Sequence, residues 1–235
     1  MNKNASELPC PSDTPSRGMG GSSLRALAAA LLCGSLFAAP QIAHAETCLL
    51  DRNENGTIEA AVDNDGGAVA DDGNSDDRLA CGVGAAATAG NTTALGTRSS
   101  ATGVQSSAIG HVASASGFNS LAVGFGADAS SGYAVAVGAT SRATGASSTS
   151  IGSDSTAAQE KAIAVGTHAY ANGARSIAMG SSITDNPGDR GATTAGDDAI
   201  AIGTDADANG SRATAVGAFS SAAGASALAV GSDSS

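Results

Sequence analysis

The sequence predicts an all-β protein: a parallel β-roll, or β-solenoid, built from coils of fourteen residues. Three observations predict it. Glycine recurs in one phase, at Gly82, Gly96, Gly110, Gly124, Gly138, Gly152, Gly166 and Gly180, then at Gly203, Gly217 and Gly231. The residue before each marker is apolar, and the residue before that is alanine in every unit except at Ser150. The composition also leaves little for any other core, with 32 glycines, no tryptophan and 3% aromatic residues. Globular interiors lean on Leu, Ile, Phe and Trp. A core here must consist of many small, regular contacts. A disordered linker has no reason to hold phase over so many units.

The segments before the repeat come first. Leu24–Ala39 is an apolar run with Arg17 and Arg25 at its N-terminal side, and it leads to Ala43-His44-Ala45. This reads as a Sec signal peptide over residues 1–45, cleaved after Ala45. The run is too short for a transmembrane anchor, and no second apolar span follows it. The region before it is long, so translation starts at Met1 or at Met19. Residues 46–78 are acidic and read as an N-terminal cap or linker. Within them Asp51, Asn53, Asn55 and Glu59 stand at positions 1, 3, 5 and 9 of a calcium-loop pattern, with Gly56 at position 6. Position 12, which needs a bidentate glutamate, is Val62. Calcium is therefore the one metal the sequence suggests, and otherwise no cofactor is expected. In an exported chain, Cys48 and Cys81 are candidates for a disulfide. The competing reading of Cys81 is a small core residue.

The repeats occupy residues 79–235. In the unit around Gly124, Leu121 and Val123 alternate with Ala122 in a short strand. Gly124-Phe125-Gly126 turns the chain. Ala127 and Ala129 flank Asp128 in a second strand, and Ser130-Ser131-Gly132 turns it back. Larger apolar residues three before the marker (Leu121, Val135, Ile163, Ile177, Ile200, Leu228) read as patchwise reinforcement of the core. Coils stacked at about 4.8 Å give a rod on the order of 50 Å. A coil with so little apolar bulk is marginal alone, so oligomerisation is expected. The interval from Gly180 to Gly203 holds extra residues. They read as a loop insertion near 181–194 carrying Asp185-Asn186-Pro187-Gly188.

Asn119-Ser120-Leu121-Ala122-Val123-Gly124, Arg175-Ser176-Ile177-Ala178-Met179-Gly180 and Asp198-Ala199-Ile200-Ala201-Ile202-Gly203 resemble the fourteen-residue repeats of YadA-like trimeric autotransporter adhesin heads. The resemblance covers roughly residues 79 to 234. It implies a left-handed roll, a homotrimer, display on a Gram-negative outer membrane, and adhesion to host extracellular matrix or a cell-surface ligand. Proteins of that kind normally continue into a neck, a coiled-coil stalk and a β-barrel anchor. None of these is evident here, so a truncated head and a secreted head-like protein are both expectations.

The charge balance narrows the field further. The chain carries a net charge of −11, and removing the leader, with Lys3, Arg17 and Arg25, leaves it no less acidic. Nucleic acid and anionic membrane surfaces are repelled. His111 and His168 lack partners at metal spacing, and no serine elbow or triad appears. An enzyme is not expected. The other reading is a stand-alone secreted solenoid that binds polysaccharide or ice. The outward positions that such a face would fill with a threonine ladder instead mix Asp128, Asp154, His168, Asp205 and Phe219.

Overall fold

Each fourteen-residue unit forms two short strands joined by two tight corners. In the unit around Gly124 the strands are Leu121–Val123 and Asp128–Ala129. The first strand of each unit pairs in parallel with the first strand of the next. Leu121 faces Val135, and Val135 faces Thr149, an offset of one repeat. The second strands pair likewise, Asp128 with Arg142. A 12-stranded and an 11-stranded parallel sheet result, each running through the units in sequence order. The fold is thus an all-β parallel solenoid of about ten turns, with no helix among the described residues. The computed structural model describes residues 46–47, 69–70, 78–182, 191–194 and 196–235. All of them belong to one compact unit, Ala43–Ser235.

The alternation within each strand is as expected, but its direction corrects the sequence reading of the core. Ala122 and Ala129 are fully buried, whereas Leu121 and Val123 lie on the outside. The same holds for Val135, Ile163, Ile177 and Ile200. The larger apolar residues therefore coat the rod instead of filling it. A coil of fourteen extended residues has a contour of roughly 45 Å, and two corners consume part of it. The two strands face each other across a gap that methyl groups already fill. The largest fully buried side chains are Thr92 and Thr194. Four inward columns run the length of the rod, represented in one unit by Ser120, Ala122, Ala127 and Ala129.

The glycines serve this tight stacking in two ways. Gly124 has φ 132°, and a Cβ there would lie 2.4 Å from the carbonyl oxygen of Gly138 in the next coil. Gly117 needs no unusual φ, yet a Cβ there would lie 1.8 Å from the carbonyl oxygen of Ser131. Both positions let one coil's backbone rest directly on the next.

The corners carry residues in the left-handed region. The first corner, entering the larger sheet, has Asn119, Tyr133, Lys161 and Arg175 at φ 52–60°. The second, leaving that sheet, has Val112, Thr140, Asp154 and His168 at φ 53–59°. Such a conformation costs an L-residue about 1–2 kcal/mol. Each left-handed amide offsets this by donating to the coil below, as Tyr133 N–H does to Phe118 O at 2.7 Å and Thr140 N–H to Phe125 O at 2.7 Å.

The strand partners also locate the insertion. Tyr170 pairs with Thr193, and Thr193 with Asp207. The coil therefore resumes at Ala192, which is buried, and Thr194 takes the inward position held by Ala171 and Ala208 in the neighbouring coils. Thr193 and Thr194 form a strand inside the span that the sequence reading gave to the loop. Counting forward from Gly180 puts Asp185 at that inward position. Counting back from Gly203 finds Thr194.

Candidate functional site

The two sheets present opposite chemistry to the outside. The larger sheet shows one apolar outward column, running through Leu95, Ile109, Val123, Val137 and Ile151 to Met179 and Ile202, beside a second in which Leu121, Val135, Ile163, Ile177 and Ile200 alternate with Thr93, Ser107, Thr149 and Thr214. Leu95, Ile151 and Met179 are about 40% exposed (40%, 40% and 41%), far more than an interior residue. The smaller sheet shows Ser100, Ser114, Asp128, Arg142, Thr156 and Tyr170 in one column. Further along it, the Thr193 hydroxyl donates to Asp207 Oδ1 at 2.8 Å. An uncovered apolar sheet face of this length marks an interaction surface.

The corners flank the apolar face, and their character changes along the rod. At the first corner Phe118 and Tyr133 meet edge to face, with ring centroids 5.4 Å apart. At the second corner His111 stacks on Phe125 at 5.4 Å. Further on, charged groups predominate, with Phe219 again an exposed ring at the second corner. Arg175 reaches Asp198 with two hydrogen bonds, Nε to Oδ1 at 2.6 Å and Nη2 to Oδ2 at 2.8 Å. This hydrogen-bonded guanidinium holds the Asp198 carboxyl below the usual carboxylate range and raises Arg175 in turn. Lys161 donates to Glu160 at 2.7 Å and lowers its carboxyl in the same way. At the second corner Asp154 bridges Thr140, which hydrogen-bonds its Oδ1, and His168, whose Nε2 lies 3.7 Å from its Oδ2.

The glycine markers from Gly82 to Gly231 all sit at the same turn of their coils with positive φ. Cys81 is disulfide-bonded. It ends the strand Arg78–Cys81, which pairs with Glu46–Thr47. Cys48, the proposed calcium ligands Asp51, Asn53, Asn55 and Glu59, and the cleavage position after Ala45 lie outside the described residues. Among the described residues no three His, Cys, Asp or Glu side chains gather as a metal site. No helix among them is long and apolar enough to cross a membrane. What sequence reasoning missed is the outward apolar face itself. The signal was present: the alanines hold their positions more strictly than the larger residues, as a confined interior requires.

The family model for the YadA head domain repeat matches residues 80–99, 87–113, 115–141, 143–169, 157–182, 190–206 and 208–234. The chain belongs to this family. The YadA-like head thus spans nearly every coil on both sides of the insertion. No curated protein matches the chain significantly.

Proposed function

We propose that this YadA-like head is the exported, non-enzymatic binding head of a surface adhesin and works as a homotrimer. The family match supports an adhesin-type role. The observation that carries the trimer is the uncovered apolar face of the larger sheet, set against the polar outer face of the smaller one. A parallel rod with one apolar face is covered most simply by copies of itself around an axis along the rod. The polar face is then left for the ligand, a host matrix protein or a cell-surface component. The apolar run before Ala45 supports export through the Sec route, and display at the outer membrane follows if further segments anchor the head.

Light scattering on the chain from residue 46 onward tests the assembly, and a three-fold mass is expected. Fractionation of native cells, with an antibody to the same residues, tests the location. A large species in the outer-membrane fraction is expected. A small species free in the medium overturns surface display. Adherence of the purified head to matrix-coated plates tests binding. No retention above that of an unrelated acidic solenoid removes the matrix as the ligand.

A further inference from the structure

We infer that, in the trimer proposed above, the two aromatic corners of the first coils meet across the protomer boundary. The first corner of one chain packs on the second corner of the next. The inference rests on that trimeric reading and adds which edges touch.

The shape of the apolar face decides which edges meet. It is a flat strip one strand wide, and its two long edges are the corners. Three such strips facing a common axis enclose a triangular prism. Three-fold symmetry then forbids a corner from meeting its own copy. Each first corner abuts a second corner, and the ring closes after three steps. Whatever lines one corner must therefore suit what lines the other at the same height.

The first coils satisfy this condition. Around Gly124 the first corner offers Phe118, 44% exposed, and the second offers Phe125, 56% exposed. One coil on, the first corner adds Tyr133 at 59%, and one coil back, the second adds His111 stacked on Phe125. Rings exposed to this degree in a single chain are costly to leave in water. Within each corner the rings already rest on one another, so the two ridges are preformed and little ordering is needed when they meet. Both ridges border the apolar strip directly, and one contact covers strip and ridges together.

The test is a cysteine pair in the full chain, F118C with F125C. Within one chain these positions flank the strand Leu121–Val123, which alone separates them by about 10 Å. A disulfide needs Cα atoms within roughly 7 Å, so an intrachain bond is excluded. Mild oxidation is expected to give a covalent trimer on a denaturing gel, several-fold above wild type, while F118C and F125C alone give none. The pair V104C with H111C, one coil back, repeats the test should the first variant fold poorly, as judged by circular dichroism. A chain that is trimeric by light scattering yet shows no cross-link in either pair overturns the corner contact and leaves the trimer standing. A covalent dimer from F118C alone overturns it too, because that signals a two-fold contact. A monomer in solution overturns the trimeric reading and this inference with it.

Discussion

The coils before Ser148 and those after it share one interior plan and differ in what they present. In the first group the corners hold Val104, Phe118, Phe125 and Tyr133, and a single charge, Arg98. In the second group they hold Asp154, Lys161, Arg175, Asp198, Asp205 and Arg212, together with the exposed Phe219. The apolar strip itself changes less. Its column next to the first corner reads Thr93, Ser107, Leu121 and Val135 in the first group, and Thr149, Ile163, Ile177, Ile200, Thr214 and Leu228 in the second. Rings thus give way to charges at most corners along the rod, while the strip between the corners keeps a mixture of apolar and hydroxyl side chains. The interior tolerates almost no variation because backbone contacts set its width. The outside varies freely because nothing within one chain constrains it.

The strongest way to break this comparison is at the glycine line. Gly124→Ala combines φ 132° with a clash against the next coil's backbone, and should cost about 3 kcal/mol or more. Gly132→Ala is the control: its nearest contact, Phe118 O, lies at 3.9 Å, and a change within about 0.5 kcal/mol is expected. Thermal unfolding of both variants decides. Equal melting temperatures would mean that the coils do not stack as described.

The cross-link to Cys81 comes next. Cys48 is the partner we propose, and peptide mapping of the non-reduced chain should recover the two together. Cys48→Ser should then destabilise the first coil by about 2–4 kcal/mol. An overpacking pair follows: Ala122→Leu and Ala201→Leu should each cost about 1–3 kcal/mol, and similar amounts, if the interior is one and the same in both groups. A clear inequality would show that one group has a roomier core.

Subtler differences should follow the buried hydroxyls. Ser106, Ser120 and Ser148 bury hydroxyl groups without a hydrogen-bond partner. The same column holds Ala162, Ala199 and Ala213 in the second group. Ser120→Ala should therefore stabilise by about 1 kcal/mol. Ser176→Ala should destabilise instead, because its hydroxyl donates to Gly173 O at 2.7 Å and accepts from Thr194. Chemical denaturation of the two variants should give opposite signs.

The smallest effect belongs to the exposed pair of Arg175 and Asp198. Since the folded state lowers the Asp198 carboxyl, its contribution is present above the unfolded carboxylate's range. It is lost as the pH falls through the lowered folded value, below about pH 4. Arg175→Ala should make the acid limb of the stability profile slightly shallower, and salt should mask the difference.

The sequence made the phase, the strand positions and the parallel stacking legible, because a period of fourteen with glycine markers admits few other arrangements. It did not reveal which face of each strand is inside. Alternation defines two faces, and here both are apolar, alanine on one and Leu, Val or Ile on the other. The usual preference for burying the larger residue points the wrong way when the interior is only a methyl group deep. The left-handed corners were equally hidden, since Val112 and Thr140 are β-branched and disfavour that conformation on their own. Only the hydrogen bonds that their amides donate to the coil below offset its cost. The candidate surface became visible once the direction of the side chains was known.

Backbone resting on backbone at each glycine also gives the rod a unit of account. Every coil shows the same upper and lower surface to its neighbours, so a coil can be removed or copied without either neighbour meeting anything new. Length can change in steps of fourteen residues. Any other step would throw each later alanine out of the interior, unless the surplus leaves where the backbone already bends. The described chain keeps to this: Ser182 lies at the second corner, and Thr194 stands in the alanine column in phase. Such a molecule can lengthen or shorten its reach by duplicating or deleting whole units, while its cross-section stays unchanged.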